Sequence, residues 1–257
     1  MKMFSIKNKK IFVLGGSGLI GQSIIQNFQN NGALVVNFDI KKNKKESGPF
    51  VKIDINNTKK IKKIFQKSFI KFGSPEVFIN CSYPTKGDWK NSSFKNVTSK
   101  LIYDNLNIHL GSYIYCSQLM AEQMRKQKIN GSIINFSSIY GMVAQNLNIY
   151  KGTEIKENAI YNSIKGGIIS FTKQMASFYG KYNIRTNCIS PGGIKGHSKG
   201  FKNKQSLKFI KNYSQQNPMK RLANVEEITP SVIFLSSDAS SYINGANIII
   251  DGGWTAV

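Results

Sequence analysis

Tyr161 and Lys165 have the residue types and the spacing that suit proton transfer. On a helix, residues four positions apart lie on the same face, one turn from each other. Tyrosine is a poor base at its reference pKa of about 10, and a nearby positive charge favours the phenolate. Of the 11 tyrosines, only Tyr161 has a lysine four positions later. The pair therefore predicts a general acid/base that acts on an alcohol or carbonyl oxygen.

Two serines, Ser137 and Ser138, end a predicted strand upstream of this pair. In a lysine-rich chain a single Tyr/Lys pair can arise by chance. The prediction of a catalytic pair therefore depends on its position after these serines. A serine hydroxyl at that place can hydrogen-bond a substrate oxygen while charge develops on it. We therefore expect Ser138 to act together with Tyr161 and Lys165.

A glycine-rich turn, Gly15 to Gly21, stands between the first predicted strand and the first predicted helix. Glycines at such a turn permit a tight bend, close approach of the backbone to phosphate and close packing of helix on strand. Asp39 ends the next strand, and a carboxylate there binds a ribose diol and repels a 2′-phosphate. This predicts NAD, with NADP as the alternative because Lys41 and Lys42 follow closely. Asp39 could also simply cap the strand.

The elements that position these residues alternate regularly along the chain. Short apolar runs predict strands, and apolar residues at helical spacing predict the helices between them. This alternation indicates an α/β fold with a Rossmann-type, doubly wound parallel sheet of about seven strands and helices on both faces. Without a repeat or a long linker, we expect one domain over residues 1–257. The predicted strands are 11–14, 34–39, 50–53, 77–80, 132–137, 184–190 and 246–250, and the helices are 19–28, 58–72, 98–127, 159–182 and 225–236.

Composition restricts the class of protein. The 257 residues carry a net charge of +23, but 33 Lys, 27 Asn and 35 Ile reflect A/T-rich codons, so no partner is needed to explain the charge. Only three arginines occur, whereas nucleic-acid recognition favours arginine, so we expect no nucleic-acid partner.

No apolar run could cross a membrane or serve as a signal peptide. Three scattered cysteines form no CxxC pair, so we expect a reduced, cytoplasmic protein without disulfide or metal.

Together, these motifs resemble the short-chain dehydrogenase/reductase family over essentially the whole chain. The resemblance implies that Ser138, Tyr161 and Lys165 are a catalytic trio, and that the protein forms a homodimer or homotetramer. It also implies a set of cofactor-binding residues at the strand ends and the turn. These are Gly15, Ser17, Gly18, Leu19, Ile20, Gly21, Asp39, Asp54, Ile55, Asn80, Cys81, Ser82, Tyr161, Lys165, Pro191, Gly192 and Ile194.

Two departures from the family bear on function. The family's fourth catalytic residue is an asparagine that holds a water, and its place falls on His109, which could hold water, relay a proton or only pack. Asn105 or Asn107 could supply the amide instead. The interval from Ser138 to Tyr161 is also longer than usual, which predicts a polar substrate-side loop at about 142–158. A second segment, at about 192–217, is expected to be mobile.

A looser resemblance connects the chain to a subgroup of bacterial surface-sugar pathways, including flagellin modification. It rests on the motifs Gly15 to Gly21, Asn80 to Pro84, His109 to Ser112, Tyr150 to Thr153 and Ser190 to Ile194. The leading hypothesis is an NAD-dependent oxidoreductase that interconverts an alcohol and a ketone on a sugar or nucleotide sugar. The alternatives are an NADPH-dependent 3-oxoacyl carrier-protein reductase and a non-catalytic basic binding protein.

Overall fold

The computed structural model describes residues 2–43, 47–196 and 205–257. Within these ranges, seven strands form one parallel sheet in the order β3-β2-β1-β4-β5-β6-β7. The strands are β1 (Lys10–Leu14), β2 (Leu34–Asp39), β3 (Phe50–Lys52), β4 (Val77–Asn80), β5 (Gly131–Phe136), β6 (Ile184–Pro191) and β7 (Asn247–Ile250). The helices are α1 (Leu19–Asn30), α2 (Thr58–Phe72), α3 (Ser99–Asn105), α4 (Gly111–Lys126), α5 (Tyr161–Tyr179), α6 (Leu207–Gln216) and α7 (Thr229–Ser236).

Helices cover both faces of this sheet, which is why its central strands read as continuous apolar runs. On one face, Phe12 and Phe78 pack against residues of α2, α4 and α5. On the other face, Val13 and Ile79 pack against α1 and α7. The predicted α/β fold with a doubly wound sheet is confirmed.

The strand order reverses at β1, which pairs with both β2 and β4. In open parallel sheets a ligand binds at such a reversal, beyond the carboxyl ends of the strands. The registers place Leu14 beside Asn80, and Asn80 beside Asn135 of β5. The segments that follow β1, β4 and β5 therefore meet at one edge, where the sequence predicts the reacting groups.

The helix predicted over 98–127 is interrupted. A π-helical turn, Leu106–Leu110, separates α3 from α4. Such turns insert one residue into a helix and often occur at functional sites. Downstream, α6 lies inside the segment predicted to be mobile; residues 197–204 of that segment are outside the described residues. The single domain stays a prediction.

No helix in the described part of the chain is both long enough and apolar enough to cross a membrane. The described residues also include no group of three His, Cys, Asp or Glu side chains that could hold a metal ion.

Candidate active site

The first residue of α5 is Tyr161, and its position is fixed by Asn158. The side-chain oxygen of Asn158 accepts the backbone N–H groups of Ile160 and Tyr161, both at 3.0 Å. Lys165 follows one turn later on the same face, with its Nζ 5.6 Å from the centroid of the Tyr161 ring. The helical spacing predicted for this pair is therefore present.

Ser138 follows β5 in extended conformation and is buried. Its hydroxyl lies close enough to that of Tyr161 to lower the pKa of the tyrosine. Its Oγ also accepts the N–H of Tyr140 at 3.2 Å, which holds the serine in place. The structure thus brings Ser138, Tyr161 and Lys165 into one cluster at the carboxyl edge of the sheet.

Burial dominates the electrostatics of this cluster. Lys165 is only 3% exposed, and burial lowers the pKa of its ammonium group to about 8. Its Nζ donates to the carbonyl oxygen of Phe136 at 3.1 Å. Burial raises the pKa of Tyr161, and this effect outweighs the lowering by the Ser138 hydroxyl. The lowering of the Tyr161 pKa by Lys165 stays a prediction.

His109 lies in the π-helical turn, fully buried beside this cluster. Its ring centroid is 5.1 Å from that of Tyr83 and 5.8 Å from that of Tyr113. Both of these rings also lie within 6 Å of the Lys165 Nζ. Neither ring nitrogen of His109 has a hydrogen-bond partner among the described residues. Burial, reinforced by the charge of Lys165, holds the pKa of His109 well below its ordinary value, so the imidazole is neutral at neutral pH.

The two asparagines considered as alternatives to His109 lie elsewhere. Asn105 is buried, and its side chain bonds both the backbone N–H and the carbonyl of Lys86, at 2.9 and 3.0 Å. Asn107 is exposed on the helix surface. Of the three candidates, the structure places His109 beside Lys165.

The glycine-rich turn has no room for side chains at its critical positions. Gly15 has a φ of +86°, and a Cβ there would lie 2.6 Å from the Cα of Ser82. A Cβ on Gly21 would meet the backbone of Gly16. Helix α1 begins after Gly18, and no described side chain caps it, so its first N–H groups face the turn. The first residues of α1 are Leu19 and Ile20. A helix N-terminus of this kind binds phosphate well.

Asp39 lies next to this turn at the end of β2. Its carboxylate accepts the N–H of Ser17 at 3.0 Å and the N–H of Ile40 at 2.7 Å. The carboxylate is therefore held at the glycine-rich turn, where the resemblance implies the ribose of the cofactor.

The segment after β4 closes the other side of the crevice. Asn80 is fully buried, and its Oδ1 accepts the hydroxyl of Ser82 at 2.7 Å. The Nδ2 of Asn80 has no hydrogen-bond partner in the described part of the protein. Cys81 places its Sγ 3.3 Å from the carbonyl of Leu14. An unpaired buried donor beside a cradle of glycines fits a dinucleotide, because a buried donor without an acceptor costs about 1–3 kcal/mol.

The remaining predicted cofactor residues occupy the rim of the crevice. Asp54 is exposed, and its carboxylate accepts the N–H of Asn56 at 2.9 Å. The side chain of Ile55 packs into the core, so only its backbone can face a ligand. Pro191 ends β6, and Gly192 and Ile194 follow it. Ile194 forms a bridge with Ala223.

The sequence reasoning missed a set of aromatic side chains around Tyr161, which we call the aromatic wall: Tyr83, Trp89, Tyr140 and Tyr150. Three of its ring centroids lie close to that of Tyr161: Tyr83 at 6.0 Å, Tyr140 at 6.3 Å and Trp89 at 6.4 Å. Tyr150 joins the wall through the substrate-side loop. These residues follow β4 and β5 without any periodic pattern, so no sequence signal connects them.

The substrate-side loop is tied to α5 and α6. The Gln145 side chain accepts the hydroxyl of Tyr150 and the N–H of Asn158, and it donates to the carbonyl of Asn158 and to the side chain of Asn162. From α6, Asn212 donates to the carbonyls of Ile149 and Lys151. The contacts of this loop are thus mainly polar, although it also buries Ile149, and its place beside the substrate stays a prediction.

A residue of α6 also reaches the cofactor side of the crevice. The hydroxyl of Tyr213 accepts the N–H of Gly193 at 2.6 Å, and its ring stacks on Trp254. This contact anchors α6 to the backbone that follows β6, and the sequence alone gave no indication of it.

Known proteins resemble the chain over nearly its full length. A family model for short-chain alcohol dehydrogenases, described as "Enoyl-(Acyl carrier protein) reductase", matches residues 17–255. The chain is 29% identical to "Post-translational flagellin modification protein A" of Campylobacter coli, covering 97% of this chain and 99% of the relative. It is also 29% identical to "L-rhamnose-1-dehydrogenase" of Scheffersomyces stipitis, covering 96% of each.

A solved structure agrees with these relatives. A short chain dehydrogenase from Leptospira borgpetersenii with bound NAD+ superimposes with a TM-score of 0.86 at 31% identity. The match covers 98% of this chain and 94% of the other. Together with the fold, the glycine-rich turn and the Ser-Tyr-Lys cluster, these matches show that the chain belongs to the short-chain dehydrogenase/reductase family and is an oxidoreductase.

Proposed function

We propose that the chain is an NAD-dependent oxidoreductase that interconverts an alcohol and a ketone on a sugar or nucleotide sugar. The observation that carries the proposal is the cluster of Ser138, Tyr161 and Lys165 at the edge of the sheet that also holds the glycine-rich turn. A proton-transfer group and a dinucleotide cradle at one edge are what alcohol oxidation requires.

The residues present fit a nicotinamide dinucleotide. The N–H groups at the start of α1 would hold the pyrophosphate, Asp39 the adenosine ribose, and Lys165 the nicotinamide ribose. The buried Nδ2 of Asn80 is a donor that a bound group could satisfy. The chemistry that bound NAD supplies is hydride transfer to or from the reacting carbon. Asp39 supports NAD over NADP because its carboxylate repels a 2′-phosphate.

The chain's own side chains handle the proton. In the direction of alcohol oxidation, Tyr161 accepts the hydroxyl proton of the substrate, and in the reverse direction it returns that proton to the ketone oxygen. Ser138 hydrogen-bonds the same oxygen and stabilises the charge that develops there. The Lys165 ammonium stabilises the phenolate of Tyr161. Neutral His109 accepts a hydrogen bond from a water or from Lys165, which completes the path by which the proton leaves.

The sugar assignment rests on the substrate side of the site. The substrate-side loop is rich in amide and hydroxyl groups, which suit a hydroxyl-rich molecule better than an acyl chain. The relative named as an L-rhamnose dehydrogenase and the relative named as a flagellin modification protein support this class. We therefore assign the reaction to carbohydrate biosynthesis, in a homodimer or homotetramer.

The second candidate is reduction of a 3-oxoacyl carrier protein with NADPH. The description of the matching family model favours it, and a chain with a net charge of +23 suits an acidic carrier protein. The Asp39 carboxylate argues against it, because the 2′-phosphate of NADPH would lie next to a negative charge.

Fluorescence titration with NADH and with NADPH, followed by turnover assays, tests the two candidates. We expect tighter NADH binding, and turnover of NAD with at least one sugar from a panel of monosaccharides and nucleotide sugars. The variant Tyr161→Phe should lose turnover but keep NADH binding. The matched control is Tyr242→Phe, at a fully exposed position, which should behave as the wild type. Preference for NADPH with turnover only of acetoacetyl thioesters would overturn the proposal.

A further inference from the structure

Tyr83 and Trp89 of the aromatic wall form a fixed pair in the segment after β4. The indole Nε1 of Trp89 donates to the hydroxyl oxygen of Tyr83 at 3.1 Å. Their rings are nearly perpendicular, at 80°, with centroids 6.2 Å apart. Because the Tyr83 hydroxyl accepts this bond, its own proton remains available for another acceptor.

This pair borders the reacting group. The rings lie 6.0 and 6.4 Å from the ring of Tyr161, and the Nζ of Lys165 lies 5.8 Å from the centroid of Tyr83. As a residue Tyr83 is 39% exposed, whereas burial raises the pKa of its hydroxyl to about 12, so the residue lies at the surface with its hydroxyl turned toward the site. A substrate whose oxygen reaches Tyr161 therefore lies within contact range of Tyr83 and Trp89.

The same hydrogen-bond network holds the pair and the reacting tyrosine. Asn158 caps the start of α5 through its oxygen, and its Nδ2 donates to the carbonyl of Trp89 at 3.2 Å. Next to it, the N–H of Ala159 donates to the carbonyl of Ser92 at 2.8 Å. Asn158 therefore ties the backbone of Trp89 to the cap of Tyr161, and replacing the indole leaves this carbonyl in place.

We infer that Tyr83 and Trp89 determine substrate specificity by binding the ring of a sugar. The indole packs against a face of the ring formed by C–H groups, and the Tyr83 hydroxyl donates to a substrate hydroxyl close to the reacting carbon. This inference rests on the proposed function, because it names how that site selects its substrate.

The chemistry of the wall favours a sugar ring over an acyl chain. Tyrosine and tryptophan present a flat apolar face and a polar edge, so they match a ring that has C–H groups on its faces and hydroxyls around its rim. An acyl chain would leave the Tyr83 donor without a partner when bound, which costs affinity. None of the four side chains of the wall is charged, so the contact is with the neutral part of the substrate.

Steady-state kinetics of matched variants tests this inference. The probes are L-rhamnose, D-galactose and UDP-N-acetylglucosamine with NAD, and acetoacetyl coenzyme A with NADPH. On a sugar that the wild type oxidises, Trp89→Leu should raise KM about 10-fold with kcat within about threefold, since buried aromatic contacts carry much of a binding energy. Trp89→Phe should recover part of this loss, and Tyr83→Phe should raise KM about fivefold. The control Tyr242→Phe should match the wild type.

A second readout does not depend on turnover. The chain has two tryptophans, so Trp254→Phe leaves Trp89 as the single tryptophan emitter. Its emission should change when the turned-over sugar is added in the presence of NAD, and NADH binding by all variants should remain within twofold of the wild type. If the wild type oxidises a sugar but neither KM nor Trp89 emission changes, the inference is wrong and the proposed function stands. If only acetoacetyl coenzyme A is turned over, the proposed function fails, and the inference fails with it.

Discussion

Replacing Lys165 with methionine should remove activity and yet stabilise the fold at neutral pH. Methionine keeps an unbranched apolar stem in the same place but carries no charge. Burial shifts the pKa of the Lys165 ammonium from 10.5 to about 8, which corresponds to about 3 kcal/mol of destabilisation. The variant loses the hydrogen bond from Nζ to the Phe136 carbonyl, worth about 1 kcal/mol. We therefore expect a net gain of about 2 kcal/mol in the free energy of unfolding at pH 7.

This gain should depend on pH in a defined direction. Below pH 8, Lys165 is protonated in both the folded and the unfolded chain, so the wild type bears the full cost of the buried charge. Between about pH 8 and 10.5 the unfolded chain binds more protons than the folded chain, so the free energy of unfolding of the wild type rises with pH relative to the variant. Near pH 10 the difference between the two proteins should be close to zero.

Urea unfolding of the cofactor-free proteins at pH 7 and pH 10 measures both differences. Lys173→Met is the matched control, because Lys173 lies on the same helix but is exposed. It should change the free energy of unfolding by less than about 0.5 kcal/mol at either pH. The reasoning is refuted if Lys165→Met is less stable than the wild type at pH 7, or if its difference from the wild type is the same at both pH values.

Substitutions at three further residues test the roles proposed for them. Asp39→Asn should shift the ratio of the NADH and NADPH dissociation constants toward NADPH by about 10-fold, measured by fluorescence titration, and an unchanged ratio would remove Asp39 from cofactor selection. His109→Leu should lower kcat by about 10²-fold and His109→Asn by less than about 10-fold. The pH profile of wild-type kcat should show no inflection near pH 6.5, because burial keeps the pKa of His109 well below that value. An inflection that His109→Asn removes would indicate a titrating relay instead. Gly15→Ala should weaken NADH binding at least 10-fold, because its φ is positive and the backbone of Ser82 lies against it.

Much of the fold could be predicted because local sequence and tertiary environment agree. A strand covered on both faces needs an uninterrupted apolar run, and Ile11 to Leu14 is such a run. The cluster of Tyr161 and Lys165 follows from helical spacing alone, since it needs only one turn of α5. Ser138 follows from the sheet, because the segment after β5 must emerge at the same edge as the segments after β1 and β4.

The π-helical turn at Leu106–Leu110 could not be predicted in this way. The sequence there reads as one continuous helix, whereas the structure connects the end of α3 with a loop outside the helix. Just before the turn, Asn105 bonds both backbone groups of Lys86. The spacing of apolar residues indicates which face of a helix is buried, but not which loop the helix contacts. The extra residue of the π-helical turn therefore could not be seen in the pattern.

The aromatic wall could not be predicted for the same reason. Tyr161 and Lys165 lie on one helix and Ser138 follows a strand closely, so backbone geometry constrains their spacing and makes it visible in one sequence. The wall lies on segments between elements, whose side chains meet only after the sheet has brought β4 and β5 together. Asn158 connects the two sets, because one amide caps the helix that begins at Tyr161 and holds the carbonyl of Trp89. If Tyr161 transfers the substrate proton as proposed, that single amide holds this tyrosine and the wall in one register, so the loops can change which substrate is bound without moving the reacting group.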